Sequence, residues 1–95
     1  LKNQNIIWQS DTDLKRKRVV WIVTGMSDKR DQLIEKGTLN GIDLRRFFYP
    51  LNQMDIYKKY AKGDYLISSK LSKNGFSLPT HSEIDIFKIS NAINQ

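Results

Sequence analysis

The chain has 95 residues, of which 39% are hydrophobic and 27% charged, with no cysteine and a formal net charge of +6. That length suits one domain around a single core and excludes a deep two-lobed cleft. The composition excludes disorder and a bilayer-spanning helix, and the lack of thiols excludes disulfides, thiolate metal sites and cysteine nucleophiles. One histidine, His81, excludes multi-histidine metal centres, and the basic balance points to nucleic acid only if the charges cluster.

In chain order, Asn5 to Ser10 is a short apolar run, and Arg18 to Thr24 carries the strongest strand signal, rich in β-branched and aromatic residues. The two are predicted to pair antiparallel. Between them lies the dense basic run Lys15-Arg16-Lys17-Arg18, preceded by Asp11 and Asp13, which reads as a solvated approach to the strand, with nucleic-acid binding as the alternative. Gly25-Met26-Ser27 is predicted to break the strand, with Ser27 capping a helix whose first turn holds Asp28, whose buried face holds Leu33 and Ile34, and which stops at Gly37. Ile42 to Tyr49 is predicted as a third strand, ended by Pro50, which has no N–H for a ladder. Met54, Tyr57 and Tyr60 then recur at about one helical turn, with the tyrosines read as wall rather than ligand contacts.

A second helix is predicted from Leu66 to Lys73, with Ile67 and Leu71 on one face, Gly75 as its left-handed cap, and Phe76 and Leu78 anchoring the exit. Thr80 to Glu83 fits a capping box, and Ile86, Phe87, Ile89 and Ile93 form the apolar stripe of a C-terminal helix expected to lie across the sheet. His81, in the turn between, reads as a surface histidine. The expected fold is α+β, a small antiparallel sheet of about three strands packed on short helices, with residues 1–95 as one domain.

The stretch with chemical content is Gly41-Ile-Asp-Leu-Arg-Arg-Phe-Phe-Tyr-Pro-Leu-Asn52, in which Arg45 and Arg46 abut Phe47, Phe48 and Tyr49. Guanidinium groups beside a large apolar surface suit a substrate with a phosphate and a flat or apolar part; the plainer reading is a strand end with solvated arginines and core aromatics. No phosphate-cradling glycine loop, nucleophile elbow or paired carboxylate is present, and of the eleven lysines most sit in polar surroundings unsuited to a Schiff base.

This stretch, with Leu71 to Thr80 after a spacer, resembles the C-terminal small domain of the DegT-type sugar aminotransferases. The resemblance rests on Gly41-Ile42, Arg45-Arg46, Tyr49-Pro50-Leu51, Tyr57 and Leu78-Pro79 in that order, preceded by Trp21-Ile22-Val23, Arg30 and Leu33, and covers nearly the whole chain. One departure is Asn52, where family members often carry histidine, so a carboxamide stands in for an imidazole there.

The resemblance implies an α+β domain as in fold-type I pyridoxal-phosphate aminotransferases, within a cytoplasmic, homodimeric parent enzyme that aminates keto sugars on nucleotide carriers, with glutamate as the usual amino donor. It implies that this chain has no catalytic residue and binds no cofactor or metal alone, because the Schiff-base lysine and the cofactor-holding groups lie, in the family, in a large N-terminal domain. Its expected substrate-binding residues are Arg45 or Arg46 at the nucleotide phosphates, with Tyr49 and Asn52 on the sugar side. Seven of the ten aromatics fall between Phe47 and Phe76, so an exposed apolar patch facing that domain or a neighbouring subunit is expected. Two alternatives remain: a small nucleic-acid-binding module with Lys15–Arg18 and Arg45-Arg46 on one basic face, which the scatter of the other charges disfavours, and a protein-interaction domain.

Overall fold

The computed structural model describes residues 5–10, 15–80 and 85–94. Within them the chain forms β1 (Ile7–Trp8), β2 (Thr24–Met26), α1 (Arg30–Leu39), β3 (Arg45–Arg46), single 3-10 turns at Leu51–Gln53 and Lys58–Tyr60, α2 (Leu66–Asn74), β4 (Gly75–Ser77) and α3 (Ile86–Asn94). The fold is α+β as expected, with four strands where about three were read, in the order β1-β2-β4-β3 and antiparallel throughout.

The centre of the sheet is set by small residues. Trp8 pairs with Gly25 and Gly25 with Phe76, so a glycine lies between two large rings. A Cβ at Gly25 would come to 3.0 Å from both Ile6 and Trp8 side-chain atoms, so the glycine expected to break the strand is instead what lets these side chains close over it. Most of the predicted strand Arg18–Thr24 is instead irregular and exposed: Trp21 is 77% exposed and stacks on Phe48 with ring centroids 6.5 Å apart. The antiparallel partnership with the Asn5–Ser10 run holds, shifted towards Met26.

Helix ends differ from expectation in instructive ways. Ser27 does not cap α1; its hydroxyl accepts the Lys29 N–H at 3.1 Å, and the cap position falls at Lys29 without a side-chain bond. Gly37 does not end the helix either. It lies within α1, where a side chain would reach 2.9 Å from Leu44, and so brings the helix close to that core leucine. The stop comes at Gly41, with φ at +71°: Ile42 N–H donates to Gly37 O at 2.8 Å and Gly41 N–H to Thr38 O at 3.1 Å, the paired bonds of a Schellman ending. Gly75 is no left-handed cap; it is extended (φ −81°, ψ 145°) and opens β4, and the position is glycine because a side chain there would collide with the Leu71 carbonyl and Phe47. The predicted third strand shrinks from Ile42–Tyr49 to Arg45–Arg46, although Ile42 and Leu44 are buried.

The core gathers Ile6, Ile42, Leu44, Phe76, Leu78, Ile89, Ala92 and Ile93, with Phe76 and Ile93 fully enclosed and Trp8, Val23, Leu33 and Ile34 packed against them. The principal neighbour of α3 is α1 rather than the sheet, and of its predicted stripe Ile89 and Ile93 are buried while Ile86 and Phe87 are exposed. At the start of the helix the Asp85 carboxylate accepts the Lys88 N–H at 3.0 Å; most of the Thr80–Glu83 box expected to cap it lies outside the described residues. Of that box only Thr80 lies within the described residues, its hydroxyl donating to Trp21 O at 3.3 Å; His81 lies outside them.

Candidate functional site

Successive residues of a strand face opposite ways, so β3 sends its two arginines to different surroundings. Arg45 pairs with exposed Asp43, Nη2 to Oδ2 at 3.1 Å. Arg46 turns towards α1, its Nε 3.5 Å from Asp31 Oδ1, and borders an open groove of about 550 Å³ between the exit of β3 and α2. Arg30, Phe47, Tyr49, Gln53, Ser69, Ser72 and Lys73 complete its lining.

The floor of the groove is a buried cation. Arg30 is 8% exposed; its Nε donates to Asp31 Oδ1 at 3.1 Å and its Nη1 to the carbonyls of Ser72 and, at 3.4 Å, Gly75. The guanidinium therefore neutralises carbonyls where α2 runs into β4, and Asp31 bridges it to Arg46. Across the groove, Ser69 Oγ accepts from Gln53 Nε2 at 3.2 Å, which joins the 3-10 turn after Pro50 to α2.

The aromatic side of the same segment opens on a second basin of about 360 Å³, lined by Pro50, Leu51, Asn52, Tyr57, Tyr60, Ala61, Tyr65 and Ser68. Tyr65 precedes α2 with φ at +49°, the one non-glycine residue in the left-handed region among the described residues, and its hydroxyl accepts the Lys62 N–H at 3.1 Å. Such a conformation costs on the order of 1–2 kcal/mol and persists where packing enforces it. Tyr57 and Tyr60 are exposed and line this basin, not the core.

Of the four residues singled out by sequence, Arg46 and Tyr49 share the cation-lined groove, Asn52 lies in the tyrosine basin, and Arg45 lines neither. Arg45 and Arg46 leave the strand in different directions, and Arg18 of the basic run is turned back, its Nη1 donating to Gln9 O at 3.0 Å. Sequence reasoning missed Ser69, Ser72, Lys73 and the inward role of Arg30. Their signal was present as the i, i+3, i+4 spacing of Ser69, Ser72 and Lys73, which puts them on one side of a helix. A third trough, apolar and about 310 Å³, crosses the sheet between Ile7, Met26, Phe47 and Leu71.

The fold and groove describe a small α+β unit offering cations and aromatic side chains on open surfaces, suited to contact a substrate rather than enclose one. The chain belongs to the DegT/DnrJ/EryC1/StrS aminotransferase family, whose model matches residues 1–94. It is similar to the GDP-perosamine synthase of Caulobacter vibrioides (strain ATCC 19089 / CIP 103742 / CB 15), with 31% identity over 99 aligned positions that cover 96% of this chain. The chain spans about 27% of the length of that relative.

Proposed function

We propose that this chain is the C-terminal small domain of a pyridoxal-phosphate-dependent aminotransferase that transfers an amino group to a keto sugar on a nucleotide carrier. The observation that carries the reading is the groove that brings Arg46 and Tyr49 together in a chain of this family. The name of the relative supports a GDP-linked sugar. In this reading Arg46 faces the nucleotide phosphates, Tyr49 and Asn52 line the sugar side, and Arg45 stands at the lip.

A Schiff-base lysine needs a desolvated amine, and every lysine among the described residues is exposed apart from half-buried Lys36. These residues do not fit the cofactor. We therefore assign cofactor anchoring and the chemical step to an N-terminal domain of the same polypeptide. Surface area supports such a partner: the chain exposes 7999 Å², against roughly 5,700 Å² for a compact monomer of this mass. The excess includes Phe48, Tyr49, Tyr57, Tyr60 and Tyr65, the predicted patch, all exposed. That surface is assigned to the N-terminal domain and to the second subunit of a homodimer, in a cytoplasmic enzyme. No helix among the described residues is long and apolar enough to cross a membrane.

The test is transamination by the full-length protein, supplied with pyridoxal phosphate, glutamate and keto sugars on GDP, UDP or dTDP, read as 2-oxoglutarate release. Sugar-dependent release is expected, and its absence with every carrier overturns the reading. Replacing Arg45 and Arg46 together by alanine should raise the KM for the nucleotide sugar and leave that for glutamate unchanged.

A further inference from the structure

We infer that α2 supplies the other half of a diphosphate seat, with Lys73 and Ser69 facing Arg46 across the groove; this rests on the nucleotide-sugar reading above. The charge balance carries it. Arg30, Arg46 and Lys73 line the groove, and among the described residues the one carboxylate paired with that set is Asp31, so three cations there face one bonded anion. Asp28 borders Lys73 in an adjoining hollow of about 190 Å³ that Lys29 also lines, and its carboxylate accepts from Asn74 Nδ2 at 3.3 Å. Lys73 itself is exposed and forms no ion pair among the described residues. A diphosphate diester carries two negative charges, so ligand and groove are matched in number as well as in sign.

Hydrogen-bond polarity agrees. Ser69 Oγ accepts from Gln53, so its own proton is available to an acceptor, and a phosphate oxygen accepts only. The C-terminal end of a helix ordinarily repels anions, but here buried Arg30 donates to the Ser72 and Gly75 carbonyls at that end. Arg30 is thus a positioning residue: it removes the repulsion and, through Asp31, orients Arg46. Pyridoxal phosphate carries a dianionic group of its own, and the experiment separates that source from the nucleotide.

In the full-length protein, Lys73→Ala is titrated calorimetrically with GDP and with inorganic diphosphate at two salt concentrations, and the absorbance of bound pyridoxal phosphate is recorded in parallel. The expected result is about a tenfold loss of affinity for both probes, the loss of one charge-assisted contact, with a weaker salt dependence, restored by Lys73→Arg, and with cofactor absorbance unchanged. Ser69→Ala should weaken both probes by a smaller factor. Unchanged GDP affinity in folded Lys73→Ala protein overturns the proposal, as does loss of cofactor absorbance with GDP binding intact. Should Lys73→Ala not fold, Lys73→Met keeps the aliphatic stem and is read by the same criteria. GDP binding needs no turnover, so a parent protein that binds GDP through Lys73 yet transfers no amino group defeats the aminotransferase reading alone, and one that binds neither probe defeats the seat.

Discussion

Asp31 is bonded to two guanidinium groups, one buried and one exposed, and so separates the roles of neighbouring arginines that look interchangeable in the sequence. Arg46 owes its direction to this carboxylate, whereas Arg45 is tied to Asp43 on the opposite side of the strand. Taken singly in the full-length enzyme, Arg46→Ala is expected to raise the nucleotide-sugar KM about tenfold, as loss of one charged hydrogen bond implies, and Arg45→Ala less than twofold; steady-state kinetics decide, and equal effects would contradict the division. In the core, Phe76 is fully enclosed and Phe76→Ala should cost about 3–5 kcal/mol in denaturant unfolding. Trp8 offers a contrast. Its ring packs edge-on to Phe76 at 5.8 Å, but its buried indole N–H has no hydrogen-bond partner among the described residues. Trp8→Phe keeps an aromatic ring and removes a donor that gains nothing, so it should cost less than about 1.5 kcal/mol.

At the level of elements, the helices were the more legible part. The predicted second helix, Leu66–Lys73, matches α2 to within a residue, because Ile67 and Leu71 stand four apart on one side and no proline interrupts the run. Their ends were less so, since Gly37, Gly41 and Gly75 look alike in sequence and do three different things: close helix packing, a left-handed stop and an extended strand start. Gly41→Ala should therefore lower stability by about 1–2 kcal/mol, and Gly75→Ala by more, because it meets backbone that cannot yield; unfolding midpoints rank them, and the reverse order would refute the assignment. The strands were poorly legible. Strand preference measures fit to partners, and the partner that organises this sheet, Gly75-Phe76-Ser77, is too short to give a periodic signal. For the same reason the candidate groove was half visible: Arg46 and Tyr49 lie in one stretch, but the α2 face opposite them, Ser69 to Lys73, comes from a separate element later in the chain.

Across the whole molecule, the radius of gyration is 15.2 Å, above the roughly 12 Å of a compact domain of this length. Aromatic side chains in the tyrosine basin and the Trp21–Phe48 stack stand on the outside. The 95-residue chain alone should consequently bind an apolar-surface dye strongly and sediment as a mixture of associated forms, while the full-length protein should do neither; a monodisperse, dye-silent isolated chain would refute the assignment of this surface to a partner.

Val19 to Val23, by intrinsic preference the stickiest pentapeptide in the chain, runs beside the sheet without joining it, with Val19 bare, Trp21 largely exposed against Phe48 and Thr80, and the Val23 carbonyl accepting the Leu78 N–H. Left uncovered, it is a template for cross-molecule strand growth, and the four cations just ahead of it act as electrostatic gatekeepers. High salt, by screening that basic run, ought to hasten fibril formation instead of slowing it.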